Sequence, residues 1–155
     1  MGEQGAVVHA NMPGDVGDGS MVMNHQEAAV RSFCTAVGRK DLDAVRPLIS
    51  ERCVYHNVGF EPAVGGAATI AAVVSQFEMF EEIEFRIVHA AQVGDVVLTE
   101  RVDTVTAGGI ASPIPVMGAF VVEGGQIVAW RDYFDMALVG RLMGGEDVGT
   151  LLPVL

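Results

Sequence analysis

The chain has 155 residues, of which 50% are hydrophobic and 19% are charged, and its formal net charge is −11. This length predicts one domain with one core, and the acidic balance argues against nucleic acid and anionic membrane surfaces as partners. The two cysteines and four histidines show none of the spacings typical of metal sites, so we expect reduced, buried thiols and no bound metal.

The N-terminal segment, residues 1–23, is rich in glycine and lacks aromatic residues and any sustained helical or strand period. Such a segment buries too little apolar surface to offset the entropy lost on ordering. We therefore predict a flexible tail, followed by a single domain over residues 24–155. No Lys or Arg precedes Arg31 and the apolar runs are short, which argues against a secretory signal and favours a cytoplasmic protein.

Three helices are predicted in the first half of the domain. Asn24 is a candidate cap for a first helix ending at Gly38, whose apolar stripe comprises Ala28, Ala29, Ser32, Phe33, Ala36 and Val37. Asp41 is a candidate cap for a second helix over residues 42–49, so that the two helices form a hairpin. Apolar residues at spacings of three and four predict a third helix over residues 67–79.

Strand patterns fill most of the remaining chain. A short strand is predicted over residues 53–57, and three or four strand-like runs follow the third helix, over residues 83–91, 96–106, 114–122 and 126–135. Gly94-Asp95 and Gly124-Gly125 are hairpin signals, residues 107–113 predict a looser connection, and a short helix is expected over residues 136–143. This order predicts an α+β domain in which a curved, mostly antiparallel sheet wraps the N-terminal helices.

One acidic residue, Asp132, stands between two aromatic residues on a strand face. Alternation places Val128, Trp130, Asp132 and Phe134 together, and an ionised carboxylate among aromatic rings needs a partner to offset its desolvation. In the run over residues 96–106, alternation places Arg101 and Asp103 on one face. If both faces line the concave side of the sheet, Arg101 and Asp103 can meet Asp132 across neighbouring strands.

The charges of these three residues suggest acid and base chemistry. Two carboxylates and one guanidinium leave a buried net negative charge, whereas one added proton makes the cluster neutral. One carboxyl then serves as an acid and the other as a base, with Arg101 bridging them. A structural reading also fits, in which Arg101 and Asp103 form an ordinary strand ion pair and Asp132 pairs with Arg131 or a helix N-terminus.

Several motifs within residues 25–140 resemble those of the limonene epoxide hydrolase family. They are the run from Thr99 to Asp103, the run from Trp130 to Asp135, Tyr55-x-Asn57 and Gly118-x-Phe120. The resemblance implies a cone-shaped fold with a deep apolar pocket, shared with ketosteroid isomerases, polyketide cyclases and nuclear transport factor 2.

The resemblance also implies roles for five of the matching residues. Asp132 is then the general base, with Tyr55 and Asn57 positioning a water molecule. Asp103 is the general acid that protonates the epoxide oxygen, and Arg101 holds both carboxyls in register. The implied reaction forms a vicinal diol in one step and needs neither a cofactor, a metal nor a covalent intermediate.

The substrate is expected to be a lipophilic epoxide, such as a terpene, fatty-acid or sterol-derived oxide, held in a pocket walled by Trp130, Phe134 and Val116. These aromatic and aliphatic residues are more typical of a core, and a core and a cavity wall look alike in a sequence. A homodimer formed through the outer face of the sheet is expected as well.

Two other functions fit the same fold. One is proton abstraction beside a carbonyl, as in isomerases and cyclases, with Asp132 as the base and Tyr55 or protonated Asp103 stabilising the oxyanion. The buried Arg101 argues against it. The other is a non-catalytic module that binds an apolar ligand, in which the charged cluster is structural.

Overall fold

Helices precede the main strands in the computed structural model, which describes residues 25–155. The predicted tail and the predicted cap Asn24 lie outside the described residues. Helix α1 spans His25–Gly38 and ends where predicted. Its buried stripe differs from the predicted one, because Ser32 is exposed while Val30 and Cys34 are buried.

The second helix is shorter than predicted. Helix α2 spans Leu42–Val45, and the Asp41 side chain caps it by accepting a hydrogen bond from the Ala44 amide at 3.0 Å, as predicted. A single 3-10 turn, Arg46–Leu48, then leads into strand β1, Ile49–Asn57. Pro47 lacks the amide hydrogen that would continue the helix, which explains the early end of α2 and the early start of β1.

Apart from the two-residue strand β2, which was not predicted, the remaining elements follow the predicted order. They are β2 (Ala63–Val64), α3 (Gly66–Met79), β3 (Glu82–Val93), β4 (Val96–Ala107), β5 (Ile110–Glu123), β6 (Gln126–Tyr133) and α4 (Met136–Met143). The six strands form one curved, open sheet in the order β2-β1-β6-β5-β4-β3. Only β1 and β6 pair in parallel, so the predicted mostly antiparallel α+β fold is confirmed.

The predicted loose connection before β5 is wrong. Strands β4 and β5 form a hairpin whose turn, Gly108-Gly109, has positive φ angles of 57° and 76° that glycine adopts readily. Pro113 and Pro115 lie within β5, which is unusual for a strand in the middle of a sheet. They are accommodated because β5 pairs with β6 only from Met117 onward, leaving the first half of β5 with one partner strand.

Strand β6 differs from its predicted form in two ways. The register shifts by one residue between Val121 and Val122 of β5, so Val128 is an extra residue opposite that step. Ile127, predicted to face away from Trp130, is consequently buried like Trp130. The strand also ends at Tyr133 rather than Asp135, whose carboxylate caps α4 through the amide of Ala137 at 2.8 Å.

The helices cover one face of the sheet and place the core there. Helix α1 packs against β3 to β6, α3 packs against β1 and β2, and α4 packs against β5. The aromatic centre of the core consists of Phe33, Phe120 and Trp130, all fully buried. None of the helices within residues 25–155 combines the length and apolar character needed to cross a membrane.

Candidate active site

Arg101 binds both acidic residues that the sequence predicts as its partners. Its Nε and Nη2 donate to Asp103 Oδ1 at 3.0 Å and Oδ2 at 2.8 Å, and Nη2 also donates to Asp132 Oδ2 at 2.9 Å. The three side chains lie on the sheet face that packs against the helices. Their meeting confirms the predicted cluster of a carboxylate, a guanidinium and a carboxylate.

The two strands that carry this cluster are not neighbours, contrary to the prediction. Strand β5 runs between β4, which carries Arg101 and Asp103, and β6, which carries Asp132. In the sheet register, Gly118 of β5 stands directly between Thr99 of β4 and Asp132 of β6. Because Gly118 has no side chain, the guanidinium can pass over β5 and reach Asp132.

The cluster is deeply buried. Only 1% of Arg101, 6% of Asp103 and 4% of Asp132 is exposed. The guanidinium carbon lies 5.2 Å from the centre of the Phe85 ring and 5.4 Å from that of Phe120, so aromatic faces surround the cation. Because so little of the cluster is exposed to water, each hydrogen bond within it is strengthened and an unbalanced charge is costly.

Burial raises the pKa of both carboxyls, and the positive charge of Arg101 opposes the rise. The pKa of Asp103 is raised to about 6, and that of Asp132 is also raised above its usual range. Burial by itself lowers the pKa of Arg101, but attraction to Asp132 and the bonds to Asp103 outweigh it and raise that pKa. The guanidinium therefore stays charged, while the carboxyls hold a proton more readily than exposed aspartates.

Tyr55 and Asn57 lie beside Asp132 on the neighbouring strand β1. Asn57 pairs directly with Asp132 in the parallel β1 and β6 register, two residues beyond Tyr55. The Tyr55 ring stacks on Trp130 at a centroid distance of 3.8 Å, and its hydroxyl accepts a hydrogen bond from Gln76 Nε2 at 3.1 Å. Burial raises the pKa of Tyr55, so its hydroxyl keeps its proton.

A cavity of about 350 Å³ opens over this cluster, and Asp103, Asp132, Tyr55, Asn57 and Gln76 are its polar lining. The rest of its wall is apolar and comprises Phe60, Met79, Phe80, Phe85, Val105, Ile114, Val116, Phe134, Met136, Val139 and Met143. An apolar pocket with a few convergent polar groups is typical of a small-molecule site. The deep apolar pocket predicted with the fold is therefore present.

Two of the three residues predicted to wall the pocket do so. Val116 and Phe134 line the cavity, but Trp130 does not. Trp130 is fully buried and packs against Phe33, Tyr55 and Phe120. It therefore supports the Tyr55 ring from within the core, and its prediction as a pocket residue is wrong.

The sequence reasoning missed Gln76 and gave Thr99 no role. Gln76 lies on α3, far along the chain from every recognised motif, and no local pattern distinguishes it from a surface glutamine. Thr99 lies on the same face of β4 as Arg101, and its hydroxyl accepts a hydrogen bond from Arg101 Nη1 at 3.2 Å. Its position two residues before Arg101 on the buried face was the available signal.

The part of the chain that the structure describes has no candidate metal site. Residues 25–155 contain no group of three or more His, Cys, Asp or Glu side chains placed to hold a metal ion. Cys34 and Cys53 are free and buried, as the sequence predicts.

Comparison with known proteins gives consistent family matches. A model described as the limonene-1,2-epoxide hydrolase catalytic domain matches residues 24–142. The epoxide hydrolase EphG of Mycobacterium tuberculosis is 36% identical over 108 residues, which cover 70% of this chain and 72% of EphG. A solved structure of an M. tuberculosis LEH-like epoxide hydrolase has a TM-score of 0.73 and 31% identity, covering 84% of this chain and 97% of that one.

More distant structures share the fold alone. A putative SnoaL-like polyketide cyclase from Shewanella denitrificans has a TM-score of 0.70 at 14% identity, covering 78% of this chain and 98% of that chain. A protein from Catenulispora acidiphila with a ketosteroid isomerase-like fold has a TM-score of 0.69 at 19% identity, covering 75% and 92%. The nearer matches agree with the geometry of the buried cluster: this chain belongs to the limonene epoxide hydrolase family.

Proposed function

We propose that the protein hydrolyses a lipophilic epoxide to a vicinal diol in one step, without a cofactor or a covalent intermediate. One observation carries the proposal: a single buried guanidinium binds two carboxyls, and both carboxyls line one apolar cavity. Opening an epoxide requires a nucleophile at carbon and a proton at oxygen together, and two carboxyls in different protonation states supply both functions.

The charge balance supports one protonated and one ionised carboxyl. With both ionised, the cluster carries one net negative charge in a site from which water is largely excluded. With one proton bound, the cluster is neutral, in keeping with the raised pKa values of Asp103 and Asp132. Asp103 keeps acceptor sites for Arg101 when protonated, because each carboxyl oxygen has two lone pairs.

Asp132 is proposed as the general base because its neighbours suit a water molecule. Its Oδ2 is held by Arg101, whereas Oδ1 is buried without a well-formed hydrogen bond within residues 25–155, and the side chain of Trp130 lies close enough to Asp132 to lower its pKa. The hydroxyl of Tyr55 already accepts from Gln76, which leaves its own proton to donate. Tyr55 and Asn57 thus offer polar contacts that position a water beside Asp132.

The proposed step moves two protons and opens one bond. Asp132 takes a proton from water as the water oxygen forms a bond to an epoxide carbon. The ring carbon–oxygen bond breaks, its electron pair goes to the oxygen, and Asp103 gives that oxygen its proton. Arg101 contacts both carboxyls throughout, and transfer of one proton from Asp132 to Asp103 through solvent restores the starting state.

The cavity supports a compact lipophilic substrate. Its volume of about 350 Å³ lies near the lower end of the range of about 300–1,000 Å³ for small-molecule sites. Three methionines in its wall, Met79, Met136 and Met143, have adaptable side chains that suit ligands of more than one shape.

Diol formation from a panel of terpene, fatty-acid and sterol-derived epoxides tests the function. We expect turnover of at least one epoxide, and a single turnover in oxygen-18 water should place the label directly in the diol. Label recovered in the protein would contradict the one-step mechanism. Deuterium exchange into a ketone without epoxide turnover would favour proton abstraction, and tight binding without any turnover would favour a ligand-binding module.

The homodimer expected from the sequence is proposed to form through the outer face of the sheet. Leu98, Met117 and Tyr133 are 42%, 53% and 47% exposed, and Met117 and Tyr133 are direct partners on β5 and β6. Arg131 and the pair of Glu100 with His89, whose nearest atoms are 2.7 Å apart, lie beside this patch and can form polar contacts at its rim in a twofold contact of this face with itself.

Light scattering is expected to give the mass of a dimer, and the double substitution Met117→Glu and Tyr133→Glu should give a monomer. Ala71→Glu, at an exposed position of α3 on the opposite side of the sheet, is the matched control and should leave the dimer intact. A monomeric wild-type protein at micromolar concentration would refute this interface.

A further inference from the structure

Gly118 occupies the point where the charged cluster crosses β5. A Cβ atom at this position would overlap Arg101 Nη1, and it would lie 2.6 Å from Thr99 Oγ1 and 3.0 Å from Asp132 Oδ1. Carbon cannot approach these atoms so closely without displacing them. The guanidinium therefore uses the space that any other residue would fill with its side chain.

Thr99 connects the guanidinium to the backbone of β5. Its hydroxyl accepts from Arg101 Nη1 at 3.2 Å and donates to the Gly118 carbonyl oxygen at 3.5 Å. Thr99 is only 1% exposed, so water cannot readily replace its hydroxyl. Neither Thr99 nor Gly118 lines the cavity, so neither side chain is placed to touch a substrate.

Each nitrogen of the Arg101 guanidinium donates at least one hydrogen bond. Nε binds Asp103, Nη2 is shared by Asp103 and Asp132, and Nη1 binds Thr99. The guanidinium is planar, so fixing Nη1 also fixes the directions of the other two nitrogens. Without the Thr99 acceptor, a buried N–H group would lack its partner and the plane would be held on the carboxylate side alone.

We propose that Thr99 and Gly118 are positioning residues that hold the Arg101 guanidinium in the one orientation that binds both Asp103 and Asp132. This proposal rests on the proposed function for its kinetic consequences, but the orientation itself can be measured without a substrate. A small misplacement of reacting groups lowers a rate by up to about a hundredfold. The hydroxyl of Thr99 should accordingly affect turnover more than substrate binding.

The kinetic test compares Thr99→Val, which keeps the shape and removes the hydroxyl, with Thr99→Ser, which keeps the hydroxyl. We expect Thr99→Val to lower kcat by about 10- to 100-fold with KM changed less than about twofold, and Thr99→Ser to stay within about threefold of wild type. Thr104→Val, at a position of β4 outside the cavity lining, is the matched control and should retain wild-type kcat.

The second test measures solvent exchange of a guanidinium proton and needs no substrate. In NMR spectra, the Arg101 Nε–H signal should exchange with solvent at least about tenfold faster in Thr99→Val and in Gly118→Ala than in the wild type. Thermal unfolding confirms that each variant is folded. Unchanged exchange in both variants would refute the proposal, as would equal losses of kcat in Thr99→Val and Thr99→Ser. A wild-type protein inert to epoxides would instead refute the proposed function and leave the exchange test intact.

Discussion

Replacement of Asp132 by asparagine is expected to lower kcat for epoxide hydrolysis by at least about a thousandfold. The amide matches the carboxylate in shape and can still accept from Arg101 Nη2, so the fold should be retained. It cannot take a proton from water, which removes the proposed base. The measurement is the initial rate of diol formation, with circular dichroism and thermal unfolding to verify the fold.

A matched control separates the loss of this carboxylate from the loss of negative charge in general. Asp43→Asn removes an exposed carboxylate on α2 that does not line the cavity, and it should leave kcat within about twofold of wild type. Diol formation near the wild-type rate by Asp132→Asn would remove Asp132 from the role of base.

The same substitution at Asp103 distinguishes the acid from the base. Asp103→Asn should also impair turnover strongly, because an amide cannot give a proton to the epoxide oxygen. The loss of kcat in Asp103→Asn should be smaller for an epoxide whose oxygen is the better leaving group, since opening of that ring depends less on proton transfer. Asp132→Asn should show no such difference between substrates.

Much of the site follows from alternation along two strands. Alternation places Arg101 and Asp103 on one face of β4 and places Asp132 between two aromatic residues on one face of the last predicted strand. A carboxylate buried in such a position requires a partner. The element order likewise predicts the α+β architecture. These inferences succeed because the direction of a side chain along a regular strand is a local property that a single sequence expresses.

The features that a sequence conceals are those set by tertiary context. The bulge at Val128 changes which residues of β6 are buried, and nothing in the local pattern marks the extra residue. The strand order places β5 between the charged residues, which turns Gly118 from an ordinary strand glycine into a requirement of the site. Trp130 was misassigned because cavity walls and cores select the same residues.

The remaining prediction concerns Arg101, whose removal should destabilise the fold more than any other single substitution considered above. Arg101→Met keeps much of the side-chain volume but leaves two buried carboxyls without a countercharge. Removing one partner from a buried ion pair typically costs about 3–5 kcal/mol in the free energy of unfolding. We expect a loss of that order at pH 7, measured by urea unfolding.

The loss of folding stability in Arg101→Met should become larger as the pH rises. Burial already raises the pKa of Asp103 to about 6 in the folded state, and without Arg101 the pKa values of Asp103 and Asp132 should rise further. A carboxyl whose pKa is higher in the folded than in the unfolded state stabilises the fold below its unfolded pKa. That stabilisation is lost as the pH rises through the folded pKa. Arg101→Met should therefore differ less from the wild type at pH 5 than at pH 7.

Arg52→Met provides the matched control for this experiment. Arg52 pairs with Glu123 on the surface, where the two side chains are 66% and 47% exposed, and such pairs contribute about 0–1 kcal/mol. Arg52→Met should change the free energy of unfolding little, and the pH dependence of that free energy should remain as in the wild type. If Arg101→Met were as stable as Arg52→Met at pH 7, the carboxyls would have to be neutral or hydrated without Arg101. The guanidinium would then serve the orientation of the two acids and not their charge balance.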